Sequence, residues 1–207
     1  MNKKKILAVI PARAGSKGIP NKNIRLLLDK PLIYYSIKNA IASKYVTDVI
    51  VSSDSPEVEI IAKQMGTQYK KRSDELCTDL VTLDSVIYDI KNEVNCDYII
   101  TMQPTSPTLK SETLDKAIKY CIENDLDTVI SVTNSPHLSW REDNGKKIPN
   151  YSKRLNRQVL PPHYVENGAF IISKYDVVNE QTRIGNKVDV FEIPQEEAID
   201  IDTYADL

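Results

Sequence analysis

Short apolar, β-branched runs alternate along this chain with longer segments whose apolar residues recur at helical spacing. The runs Ile6–Ile10, Asp48–Ser52, Thr67–Lys70, Tyr98–Met102 and Thr128–Val132 predict strands. Between them, Leu32–Ser43, Pro56–Met65, Leu83–Glu93 and Thr113–Asn124 predict helices. Asp54-Ser55-Pro56 reads as a helix start, with a capping side chain followed by proline in the first turn. Alternation of this kind predicts an α/β fold: a parallel sheet with helices on both faces. Right-handed crossovers then gather the loops that follow the strands along one rim, where open α/β sheets bind ligands.

The rhythm breaks at Thr133. From there to Val165 the chain is polar and irregular, with His137, Trp140, Asn144-Gly145 and Pro161-Pro162. Residues 133–165 read as an excursion from the sheet, so residues 1–207 are expected to form one domain with an arm. A strand at Ala169–Ser173, another at Val188–Ile193 and an apolar–acid alternation from Ala198 to Asp202 follow. At Leu207 a new helix is just beginning, which suggests a short helix beyond it.

Of the 207 residues, 41% are apolar and 27% charged, which argues against a mainly disordered chain. Lysine and arginine number 27 against 29 acidic residues, a net charge of −2. No whole-protein field for nucleic acid or an anionic membrane follows from that balance, so an anion site must be a local concentration of charge. The start resembles a signal peptide, with a basic head at Met1–Lys5. Its apolar run stops after five residues, before Pro11 and Arg13, and reads as a first core strand. No apolar run approaches the ~20 residues of a membrane helix. Cys77, Cys96 and Cys121 are widely spaced and lack a CxxC pair, which fits free thiols in a reducing cytoplasm.

The strongest chemical signal is Pro11-Ala12-Arg13-Ala14-Gly15-Ser16-Lys17-Gly18-Ile19-Pro20-Asn21-Lys22-Asn23-Ile24-Arg25. It follows the first strand, and so lies on the ligand rim. Arg13, Lys17, Lys22 and Arg25 place four cations there without one carboxylate. Gly15 and Gly18 allow the backbone to approach and turn amide donors toward phosphate oxygens. Lysine supplies a compact charge and arginine a two-oxygen grip, a combination suited to a triphosphate. Neither GxxxxGK[ST] nor GxGxxG spacing is present.

At the other end, Asp200-Ile201-Asp202 places two carboxylates two residues apart. On a strand both face one side and can converge on an oxygen-preferring cation. An acidic strand end, or Asp202 capping a following helix, is the plainer alternative. Lys71–Asp79 and Met102–Pro107 are two further rim loops. The first offers cation, carboxylate and hydroxyl groups for a base and ribose; the second presents Gln103 between stiffening prolines. In Arg157–Ala169, Arg157 suits a substrate carboxylate, while Asn167-Gly168 alone reads as a tight hairpin turn. With His137 and His163 the only histidines and no GxSxG, a serine or cysteine hydrolase has little support.

The segment Ile10–Asn23 closely resembles the signature of the acylneuraminate cytidylyltransferase family, the CMP-sialic acid synthetases. The resemblance continues through Arg72–Asp79, Gln103–Pro107, Arg157–Pro161, Asn167-Gly168-Ala169 and Asp200–Thr203, in the family's order. It implies a mostly parallel Rossmann-like sheet of the nucleotide-diphospho-sugar-transferase type. The implied activity is CMP transfer from CTP to the anomeric hydroxyl of a nonulosonic acid, with Mg²⁺ (Mn²⁺ as an alternative) and a homodimer whose arm is 133–165. Carried over by motif, Arg13, Lys17 and Lys22 bind the triphosphate, with Asn23 beside the nucleotide, and Arg72, Thr78 and Asp79 contact cytidine. Gln103, Arg157, Tyr164 and Asn167 face the sugar acid; Asp200 and Asp202 hold metal; and Arg13, Lys22 and Asp202 are the catalytic candidates. The sequence departs from the family at Leu80-Val81-Thr82-Leu83, where small or hydroxyl residues are commoner. A legionaminic, pseudaminic or other sugar acceptor, or a nucleotide-binding module without catalysis, are the alternatives.

Overall fold

A computed structural model describes residues 4–207; the basic head at Met1–Lys3 lies outside the described residues. In chain order the elements are β1 (Ile6–Pro11), β2 (Leu26–Leu27), β3 (Lys30–Pro31), α1 (Leu32–Ala42), β4 (Asp48–Ser53), α2 (Pro56–Gln64), β5 (Gln68–Lys71), α3 (Leu83–Lys91) and β6 (Tyr98–Met102). They continue as α4 (Ser111–Glu123), β7 (Thr128–Asn134), β8 (Trp140–Asp143), β9 (Lys146–Pro149), β10 (Tyr164–Lys174) and β11 (Val188–Glu192).

β1 is buried along its whole length because it lies inside a seven-stranded sheet ordered β11-β7-β10-β6-β1-β4-β5. The β1–β4, β1–β6, β4–β5 and β7–β11 pairs are parallel. β10 runs antiparallel between β6 and β7, so the sheet is mostly, not wholly, parallel. Period-two alternation divides the core. Ile6, Ala8 and Ile10 point to the layer of α1, α2 and α4, while Leu7 and Val9 pack with Ile87 and Ile90 of α3 on the other face. Helices on both faces explain why the central strands are continuous apolar runs. Ser55 caps α2 by accepting the Val58 N–H at 3.3 Å, with Pro56 in the first turn, and Thr82 caps α3.

Several predicted boundaries move. β10 begins at Tyr164, inside the expected excursion, and pairs with Asn134 at the end of β7. What projects from the sheet is therefore 135–163, carrying the β8–β9 ribbon, whose turn is Asn144-Gly145 with φ of 49° and 75°. Asn167-Gly168 is not a hairpin turn: it lies within β10, where the register to β7 shifts between Glu166 and Ile171 and Gly168 takes φ 73°. Residues 198–202 form no strand; a 3₁₀ turn at Gln195–Glu197 precedes them, and they pass along the rim as single-stranded chain.

The three cysteines are free. Burial pushes the Cys96 thiol up to about 11 and Cys121 up to about 12, so both are poor nucleophiles at neutral pH. No helix among the described residues is long and apolar enough to cross a membrane. Phe170 is fully buried where β10 meets β6 and β7. Replacing it with alanine is expected to cost about 3–5 kcal/mol, read as a lower urea midpoint with an unchanged slope.

Candidate active site

The antiparallel course of β10 brings its N-terminal half to the rim where β1, β4, β5 and β6 end. The chain leaving β1 is pinned at once. Ala12 N–H donates to Ser52 O at 2.8 Å, the Ser53 hydroxyl donates to Ala12 O, and Ala14 N–H donates to Asp54 Oδ1 at 2.8 Å. Asn21 adopts φ 55° and starts a 3₁₀ turn at Lys22–Ile24. Buried Asn23 donates its side-chain N–H to Arg13 O at 2.9 Å, tying the two ends of the loop together. Asn23 is thus a brace for the loop as well as part of the cleft wall.

The loop borders a cleft of about 530 Å³. Arg13, Lys17 and Lys22 line it on one side; Arg72, Thr78, Asp79, Gln103 and Asp202 also reach it. Leu76, Val81, Leu83 and Val86 supply an apolar wall. Arg72 is only 3% exposed; its guanidinium donates to Ser52 Oγ at 3.3 Å and Ser52 O at 3.0 Å. Desolvation pulls it below its ordinary value.

Three carboxylates set the electrostatics. Asp79 bridges Arg13 Nη2 at 2.8 Å and Lys17 Nζ at 2.7 Å, and these cations, Lys17 first, hold its carboxyl below the usual range. Asp202 Oδ1 meets Lys22 Nζ at 2.8 Å. Desolvation, with the nearby Asp202 charge, raises the Asp200 carboxyl above its ordinary range, although one edge stays open to solvent. Asp200 and Asp202 offer only oxygen donors, with the Thr105 hydroxyl beside Asp200; Asp202 and Thr105 line the cleft, while Asp200 stands just outside it. That donor set fits a hard divalent cation completed by water and phosphate oxygens. Among the described residues no group of three His, Cys, Asp or Glu side chains forms a protein cage for an ion.

Asp202 is fixed from below and from behind. Ile201 N–H donates to Thr105 O at 2.9 Å, and the buried Ile201 side chain packs with Ile19 and Leu32. The Asp206 carboxylate accepts Thr203 N–H at 2.7 Å, Thr203 Oγ1–H at 2.8 Å and Asp202 N–H at 3.1 Å. Arg25 stacks on Tyr204, 5.0 Å from the ring centre. Gly18 abuts this segment so closely that a β-carbon there would collide with Asp202 O.

Not every expected residue is brought together. Arg157 lies in an exposed 3₁₀ turn of the arm and Tyr164 at the exposed start of β10, and neither lines the cleft. Asn167 stands behind it: Oδ1 accepts Ala169 N–H at 3.1 Å and lies 2.7 Å from the Ser131 hydroxyl, and its buried Nδ2 has no partner. The neighbouring Gly168 presses on Gln103, 3.0 Å from its Nε2 to the position a β-carbon would take. Sequence reasoning missed Ser52 and Asp206, and it left Thr105 between a rim hydroxyl and a plain connector residue. The Thr203-x-x-Asp206 spacing was a usable signal for Asp206, being that of a hydroxyl–carboxylate turn.

A family model described as cytidylyltransferase matches residues 7–199. The N-acylneuraminate cytidylyltransferase of Streptococcus agalactiae serotype III (strain NEM316) is 34% identical over 213 residues, 98% of this chain and 51% of that protein. N-acylneuraminate cytidylyltransferase A of Danio rerio is 32% identical over 209 residues, 97% of this chain and 49% of that protein. A CMP-N,N'-diacetyllegionaminic acid synthase of Legionella pneumophila is 40% identical over 121 residues, 56% of this chain and 52% of that protein. The chain therefore spans about half the length of the curated relatives it matches. In fold it is similar to a CMP:2-keto-3-deoxy-manno-octonic acid synthetase complexed with CTP (TM-score 0.73, 18% identity, 97% of this chain and 94% of that one). It is also similar to a 4-diphosphocytidyl-2C-methyl-D-erythritol synthase from Anaerococcus prevotii (TM-score 0.72, 15% identity, 99% and 93%).

The tight approach of Gly18 to Asp202 makes Gly18→Ala a specific probe. The added methyl is expected to push residues 201–203 off the rim and speed Ile201 amide exchange at least about tenfold. Protection in the central strand at Ile99 should stay as in the parent chain, measured by native-state hydrogen exchange.

Proposed function

The chain belongs to the cytidylyltransferase family, and from that membership we propose that it transfers CMP from CTP to the anomeric hydroxyl of a sialic-type nonulosonic acid, releasing pyrophosphate. One observation carries the reading: Lys22 and Asp202, from opposite ends of the chain, meet at 2.8 Å in a cleft also lined by Arg13, Lys17 and Arg72. The cleft is polarised as a nucleoside triphosphate is. Its apolar wall suits a base, and its cationic side suits phosphates. Its volume of about 530 Å³ admits a ligand of that size.

The chemistry is displacement at the α-phosphorus. The sugar hydroxyl attacks, the bond from phosphorus to the bridging oxygen breaks, and pyrophosphate leaves on the opposite side. Protein groups align the partners and neutralise charge, which is most of what phosphoryl-type transfer requires. Lys22, with its side chain only 14% exposed, holds a fixed cation where charge grows on the phosphate oxygens; Arg13 and Lys17 hold the leaving end. Asp202, at the junction of the two, accepts the hydroxyl proton. Asp200 and Asp202 would hold a divalent cation, Mg²⁺ or Mn²⁺, which when bound supplies further neutralisation of phosphate charge. Gln103, braced by Gly168, faces the acceptor side.

The arm supports a homodimer in this reading. Trp140, Val159, Tyr164 and Val165 are all exposed on it or at its base, an apolar surface that a second copy would cover. The 40% identity to the legionaminic acid synthase favours one second reading, in which the acceptor is a legionaminic-type acid.

Lys22→Ala is expected to lower turnover by roughly 10²–10³-fold at saturating substrates; parental turnover would overturn its role. An acceptor panel of N-acetylneuraminic, legionaminic, pseudaminic and 2-keto-3-deoxy-octonic acids with CTP, followed by pyrophosphate release, tests the reaction. Turnover is expected with a nine-carbon acid. Activity with GTP or a sugar phosphate, and none with CTP and any acid of the panel, would overturn it.

A further inference from the structure

Asp79 was expected to touch the nucleotide, yet its carboxylate is fully engaged elsewhere. One oxygen takes Arg13 and the other takes Lys17, the two cations assigned above to the leaving phosphates. The arrangement is that of a phosphate edge, one oxygen to each donor, made by the protein itself. All three side chains remain reachable by solvent: Asp79 is 46%, Arg13 33% and Lys17 76% exposed. Dissolved anions can therefore reach all three without unfolding anything.

The segment bearing Asp79 is a short irregular connector. It lies between a 3₁₀ turn at Asp74–Cys77 and the cap of α3 at Thr82, in neither helix nor strand. Its Leu80 neighbour is 95% exposed, and its internal backbone bond, Val81 N–H to Thr78 O, is long at 3.4 Å. The ion pairs, together with the Arg13 Nη1 donation to Cys77 O at 3.4 Å, tie it to the loop after β1.

We infer that Asp79 is an exchangeable stand-in for the leaving phosphates, displaced when a polyphosphate enters and returning to Arg13 and Lys17 as pyrophosphate departs. This rests on the assignment of Arg13 and Lys17 to the triphosphate. A carboxylate carries one negative charge and two oxygens; pyrophosphate carries more of both, so it wins the cations when present. The returning carboxylate lowers the net cost of losing pyrophosphate and so works against product retention. Asp79 then discriminates by reach. A ligand long enough to span Arg13 and Lys17 must compete with it, and a nucleoside monophosphate need not.

Calorimetric titration of the whole chain with inorganic pyrophosphate, CTP and CMP at fixed ionic strength tests the inference. Asp79→Asn is expected to bind pyrophosphate and CTP roughly three- to tenfold tighter, with CMP unchanged. Glu75→Gln, on the preceding turn and in no ion pair among the described residues, removes the same charge and should leave all three constants alone. Pyrophosphate binding by Asp79→Asn that is equal or weaker, or an equal gain in Glu75→Gln, overturns the exchange. Arg13→Ala separates the two readings. If it weakens pyrophosphate binding while Asp79→Asn tightens nothing, only the exchange falls. If Arg13→Ala leaves pyrophosphate binding unchanged, the triphosphate assignment falls and the exchange with it.

Discussion

Lys22 and Asp202 are 180 residues apart in sequence, and they meet in the cleft. The contact is a surface ion pair on its acidic side, with the Asp202 side chain 67% exposed, and such pairs contribute at most about 1 kcal/mol. It cannot hold the late segment on the rim by itself. The burial of Ile201 against Ile19 and Leu32 contributes roughly 1.5–3 kcal/mol, and the Ile201 N–H bond to Thr105 fixes the register. The apolar pin docks the segment, and the ion pair sets where the carboxylate points. Gly18 then limits how far the segment can lift or slide, since the loop backbone is already at contact.

The cleft gathers cations in a protein with a net charge of −2, and it does so with carboxylate partners for three of them. Arg13 and Lys17 share Asp79, Lys22 takes Asp202, and buried Arg72 rests on Ser52. Uncompensated positive charge at this density would repel itself and weaken the loop. Reversible internal partners hold the loop in shape while leaving its donors available to a stronger anion. Asp206 performs a similar office for backbone, gathering the Asp202 and Thr203 amides that the bend would otherwise leave unpaired.

The central strands and four long helices were legible because burial on both faces writes itself as apolar runs, and packing against a sheet writes itself as helical spacing. The basic loop was legible for a different reason: charge density without carboxylates has few structural uses. What escaped were features decided by distant neighbours. Nothing local distinguishes Asn167-Gly168 in a bulge from the same pair in a turn; the register of β7 decides it. The acid–apolar alternation at 198–202 has strand spacing but no neighbouring strand with which to pair, so it stays single. Asp79 could be placed at the site from its neighbours, but its partners lie in a loop some sixty residues earlier and had to be seen.

β10 leaves the arm at Tyr164 and continues without interruption through Gly168, which backs Gln103, to Phe170 in the core. One strand thus runs from the exposed base of the arm to a residue that backs the cleft lining. A glycine with positive φ sits at its one irregularity, where a small rotation would be felt by the Gln103 amide before anything else. The arm and the cleft accordingly share one continuous length of backbone.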